Sequence, residues 1–75
     1  MSRLPVLKPR EAIAALKKAG FTVDHQTGSH IILHKPFHPL IVTVPYHSRD
    51  LKRGTLKAIL TQAGLTTDDL LRLIH

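Results

Sequence analysis

The chain has 75 residues, no cysteine, and eleven Lys and Arg against five Asp and Glu, for a formal charge of +6. This length suits a single domain over residues 1–75 with a small core, and the missing thiols exclude disulfides and thiolate metal sites. The positive excess favours a polyanionic partner, with nucleic acid first and an acidic protein close behind. A membrane surface fits less well, because the apolar helix faces are small Ala, Ile and Leu stripes needed for a core. No run approaches the ~20 apolar residues of a membrane span, and the opening residues do not resemble a signal peptide. A cytoplasmic protein is therefore expected, which the absence of cysteine also suits.

Pro9 suits a first helical turn, and Ala12, Ile13, Ala15, Leu16 and Ala19 then recur at helical spacing before Gly20, a left-handed cap. A helix over 9–19 is predicted, with Lys17 and Lys18 in the last turn, where the dipole favours cations. Phe21 to Gln26 alternates as a half-buried strand does. Thr27-Gly28 is read as a turn and Ser29 to Lys35 as a second strand. Pro36-Phe37-His38-Pro39 breaks that strand, and Leu40 to Val44 form a third, ended by Pro45. The short connections imply an antiparallel meander. Tyr46 to Lys52 reads as a polar loop. Leu56, Ile59, Leu60 and Ala63 mark a helix ending at Gly64, and Thr66-Thr67-Asp68-Asp69 resembles a capping box opening a last helix with Leu70, Leu71, Leu73 and Ile74.

The predicted class is therefore α+β, in the order α-β-β-β-α-α, with helices on one face of a three-stranded antiparallel sheet and the other face open. Period-two alternation sends Ile31 and Leu33 to the core, with Lys35 in the same register, and His30, Ile32 and His34 to the open face. On the third strand Leu40, Val42 and Val44 face inward, and Ile41 and Thr43 outward. Ile32 and Ile41 are then apolar exceptions on the open face, equally compatible with scattered surface residues and with a partner-binding patch.

Three candidate chemistries follow. The first is metal binding by His30 and His34, but four strand residues separate them by roughly 13 Å at ~3.3 Å per residue, far beyond zinc geometry. A site would need His25, His38 or His47 brought in from elsewhere, so no metal and no cofactor are expected. The second is phosphodiester chemistry at His30. An imidazole titrates near neutral pH, Gly28 permits close backbone approach, and Ser29 offers a hydroxyl donor. The third is a phosphate clamp of Lys52, Arg53 and Lys57 at the start of the second helix, extended by Arg49, where free N–H groups also attract anions. Each has an ordinary alternative: a passive surface histidine, or a solvated basic face. With aromatics limited to Phe21, Phe37 and Tyr46, a base-stacking platform is not expected.

Three blocks, Gly28-Ser29-His30-Ile31-Ile32-Leu33, Val42-Thr43-Val44-Pro45-Tyr46-His47 and the stretch from Leu51 to Leu65, resemble the HicA-type toxins of bacterial toxin–antitoxin pairs. The opening Leu4-Pro5-Val6-Leu7 and Lys17-Lys18-Ala19-Gly20-Phe21 are similar too. The resemblance implies a fold like the double-stranded-RNA-binding domain and a metal-independent endoribonuclease that cuts mRNA and arrests translation. It also implies a HicB-type antitoxin that covers the active site, and a catalytic role for His30, the histidine of the Gly-Ser-His motif. The chain departs from the family at Thr27, where Lys or Arg is common, and at Pro36-Phe37-His38-Pro39, where the turn is often polar and contains glycine. A non-catalytic RNA-binding module of the same fold and a pure protein-interaction subunit are the rival readings.

Overall fold

A computed structural model of the protein describes residues 3–75. The elements follow the predicted order: α1 (Pro9–Lys18), β1 (Thr22–Thr27), β2 (His30–His34), β3 (Ile41–Pro45), α2 (Arg53–Ala63) and α3 (Thr67–Ile74). The strands form one antiparallel sheet in the order β1-β2-β3.

α1 buries Pro9, Ala12, Ile13, Ala15 and Leu16, one stripe of the amphipathic pattern. The Glu11 carboxylate accepts the Lys8 N–H at 2.8 Å, satisfying one of the donors a helix start leaves open. The helix ends as expected. Gly20 takes φ +100°, its N–H reaches the Lys17 carbonyl, and the Phe21 N–H reaches the Leu16 carbonyl. This paired closure needs a left-handed residue that glycine adopts without penalty. It drives Phe21 into the core at 2 % exposure.

Alternation holds on the two strands that meet the helices. Ile31, Leu33, Val42 and Val44 are buried, Leu40 packs half-buried against the core, and Ile41 is exposed. Lys35 follows β2, and its Nζ lies 5.9 Å from the centre of the Phe21 ring. The helices cover this face, where Leu16, Leu56, Ile59, Leu60 and Leu70 meet the strands' apolar side chains in one cluster.

Three expectations are corrected. β1 is not half-buried: all six of its residues are exposed. The helices sit over β2 and β3, so the far edge strand overhangs the core, and only Phe21, just before it, reaches inside. Pro45 does not follow β3 but completes it, paired with His30. The neighbouring Tyr46 N–H bonds the Ser29 carbonyl at 2.6 Å, so His30 and Pro45 form a non-hydrogen-bonded pair, where a proline costs the ladder nothing. The segment 46–52 is not wholly polar at its end either. Leu51 is buried, and its N–H bonds the Leu7 carbonyl at 2.8 Å, tying this loop to the segment that leads into α1.

α3 opens on the predicted capping box. The Asp69 N–H reaches Thr66 Oγ1 at 3.0 Å and the Thr66 N–H reaches Asp69 Oδ2 at 2.9 Å. Lys18 Nζ donates to the Leu73 carbonyl at 3.1 Å, fastening the end of α1 to the end of α3. No helix among the described residues is long and apolar enough to cross a membrane.

Candidate functional site

The β1–β2 connection has the predicted two residues but lies one position further along the chain. Thr27 stays in β1, paired with His30, and Gly28-Ser29 make a two-residue hairpin. Gly28 has φ +53°, whereas Ser29 is not among the positive-φ residues. A positive φ at the first central position alone is the pattern of a type II′ turn, whose backbone twist matches that of the strands it joins. Gln26 Nε2 donates to the Gly28 carbonyl at 3.2 Å and steadies the turn. His30 is thus the first residue of β2, flanked by Thr27 on one side and Pro45 on the other, and it is exposed. Because its neighbour Ile31 is buried, alternation turns the His30 side chain to the open face.

Lys52, Arg53 and Lys57 gather at the start of α2. Lys52 is the N-cap residue without a side-chain cap, the first turn contains no acidic residue, and all three cations are exposed. Arg53 and Lys57 stand four residues apart and so share one flank of the helix. Between the hairpin and this helix lies the β3–α2 connection. It borders a cleft of about 340 Å³ lined by Pro45, His47, Arg49, Asp50, Leu51, Lys52 and Thr55. Lys52 lines this cleft; Arg53 and Lys57 do not. Pro45 joins the two groups, since it pairs with His30 and also lines the cleft. A second cleft of about 300 Å³, lined by Lys8, Arg10, Tyr46, His47 and Ser48, shares His47 with the first. Asp50 is the carboxylate of the first cleft, and Lys8 Nζ lies 3.6 Å from it.

Two features escaped the reading of the sequence. The first is a polar cluster on the open face. The β1–β2 register slips between Val23 and His25, a bulge at Asp24 of the kind that re-aims a side chain. Asp24 Oδ2 meets His25 Nδ1 at 2.6 Å, Asp24 Oδ1 lies 4.0 Å from His34 Nε2, and Thr22 Oγ1 lies 3.0 Å from the same nitrogen. Alternation alone cannot place a bulge, so this cluster had no signal beyond the residue types. The second is His47, whose place in both clefts depends on how the loop after Pro45 folds back. Among the described residues no group of three or more His, Cys, Asp or Glu is arranged to hold a metal ion.

Such an arrangement can present an imidazole beside a tight turn, with a row of cations on the neighbouring helix start. That combination suits a phosphodiester chain lying across the strand ends. A comparison with curated proteins returns no match. A family model, described as the HicA toxin of bacterial toxin–antitoxin systems, matches residues 9–65, a span that includes the hairpin, His30, the β3–α2 connection and the whole of α2. The chain belongs to the HicA toxin family, the toxin half of bacterial toxin–antitoxin pairs.

Proposed function

We propose that the protein is a metal-independent endoribonuclease that cleaves mRNA and so arrests translation and growth. Residues 1–75 act as one cytoplasmic domain, held in check by a HicB-type antitoxin that covers the site. The observation that carries this reading is the exposed His30 at the head of β2, next to a glycine turn, within a chain of the HicA family. His30 serves as the general acid or base. As base it takes the proton of a ribose 2′-hydroxyl, whose oxygen attacks the adjacent phosphorus while the bond to the 5′-oxygen breaks, leaving a 2′,3′-cyclic phosphate and a 5′-hydroxyl whose proton comes from water. Gly28 lets the backbone of the substrate approach the turn, and Ser29 offers a donor beside it. Lys52, Arg53 and Lys57 hold the phosphate oxygens on which charge accumulates.

His30→Ala tests the assignment. His30 is exposed, so the variant keeps its fold and thermal midpoint. It is expected to lose at least a hundredfold in cleavage rate, the usual scale of general acid–base catalysis, and to lose growth arrest. Equal toxicity of the variant sinks the role. Wild-type cleavage in the presence of EDTA is the companion measurement, and its loss on chelation points back to a metal. A non-catalytic RNA-binding module shows stoichiometric protection of RNA without turnover, and a pure interaction subunit shows neither.

A further inference from the structure

The loop that carries His47 sets the tautomer of its neutral ring. The backbone N–H of Arg49 donates to His47 Nδ1 at 3.2 Å. A ring nitrogen that accepts a hydrogen bond carries no proton, so a neutral His47 bears its proton on Nε2. That nitrogen can then only donate. His47 is exposed and borders both clefts of the basic surface, with Arg49, Lys52 and Thr55 in one and Lys8 and Arg10 in the other. It stands two residues beyond Pro45, the cross-strand partner of His30, hence within roughly 7 Å of chain from it at ~3.3 Å per residue. The one carboxylate lining these clefts, Asp50, faces Lys8 Nζ at 3.6 Å, which offsets its repulsion of an anion.

We propose that His47 is a substrate-binding residue whose Nε2–H donates a hydrogen bond to a phosphate oxygen of RNA, on the nucleotide adjoining the one held at His30. The Arg49 N–H selects this tautomer, just as the hydrogen bond on one ring nitrogen of a metal-binding imidazole selects which nitrogen is free. With Nδ1 accepting from the Arg49 N–H, the ring presents Nε2–H to a ligand as its hydrogen-bond donor. This role rests on RNA being the ligand, the reading given above, but it does not depend on cleavage.

The test therefore reads binding apart from turnover. The probe is a short mixed-sequence oligoribonucleotide with 2′-O-methyl groups throughout, which has no 2′-hydroxyl to attack phosphorus. His47→Ala is expected to weaken its binding about ten- to a hundredfold, the worth of a hydrogen bond to a charged group. His47→Gln, whose amide places an N–H close to the position of Nε2–H, is expected to recover most of the loss. Long-range proton–nitrogen correlation spectra of the free protein should show His47 protonated on Nε2 alone. Unchanged binding by His47→Ala overturns the proposal, and so does a Gln variant as weak as Ala or a proton found on Nδ1. If wild-type protein binds the probe in this pattern yet never cuts unmodified RNA, the nuclease reading falls while the role of His47 stands.

Discussion

At the scale of single residues, the site depends on one backbone conformation. Gly28 sits at φ +53°, and a Cβ built there meets no atom within 4 Å. A substitution is therefore penalised by the intrinsic cost of the left-handed region and not by a clash, about 1–2 kcal/mol for an L-residue. Gly28→Ala is expected to lower stability by about that amount in urea unfolding, and Gly28→Asn, which tolerates the left-handed region better, by less. A loss well above 3 kcal/mol in the alanine variant contradicts the open space seen around the turn. If the turn survives in the alanine variant, the position of His30 survives with it, and any fall in RNA cleavage beyond the loss of folded protein measures close approach of substrate to Gly28. Phe37 shows the opposite choice: at φ +67° it is the one non-glycine described residue in the positive region, and it is fully exposed. Strain of this kind costs of order 1–3 kcal/mol, so the tip of the β2–β3 turn is not a conformation that local preference alone produces.

At the scale of elements, α3 is the clearest case of a sequence signal realised as structure. The Asp69 carboxyl is held below its ordinary range, first by the Thr66 backbone N–H, then by the Arg72 guanidinium at 2.6 Å and the Thr66 hydroxyl. With the folded value below the unfolded one, the unfolded chain binds more protons between the two, so stability rises with pH across that interval. The contribution is complete above the ordinary carboxylate range and is lost as pH falls through the lower, folded value. Asp69→Asn is expected to lower the urea midpoint at neutral pH, with the gap to wild type closing in acid; a gap of constant size down to the acid limit of folding refutes the linkage. The capping box, the Gly20 closure of α1 and the alternation of β2 and β3 were legible because each is written in neighbouring residues. The exposure of β1 was not. Its alternation is real, but burial is decided by where the helices lie, and they cover β2 and β3. The Leu7–Leu51 hydrogen bond and the Asp24 bulge were hidden for the same reason, since both depend on partners far along the chain or on the register of a neighbouring strand. In the candidate site, the exposure of His30 and the grouping of Lys52, Arg53 and Lys57 followed from local pattern, whereas the place of His47 required the path of the loop after Pro45.

For the molecule as a whole, the proposed RNA binding has two possible origins: the overall charge of +6 or a defined row of cations. Salt separates these. Each phosphate neutralised on a single strand contributes roughly −0.7 to the slope of log affinity against log salt. If Arg49, Lys52, Arg53 and Lys57 each meet a phosphate, the slope is roughly −3. A Lys52→Ala, Arg53→Ala double variant is then expected to bind more weakly, with a slope shallower by roughly 1.4. Lys17, exposed in the last turn of α1, is the control. A delocalised field acts over about a Debye length, ~10 Å at 0.1 M salt, and senses only the number of charges, so removing Lys17 then lowers affinity by as much as removing either cation of α2. A localised contact leaves the Lys17→Ala slope unchanged. Filter binding of the 2′-O-methyl oligonucleotide between low and physiological salt gives both slopes. Equal effects of the α1 and α2 substitutions would leave the protein a general polycation and strip Lys52, Arg53 and Lys57 of the phosphate-holding role proposed for them. The outcome expected is the unequal one, because those three side chains stand together on an uncapped helix start that carries no acidic residue to neutralise them.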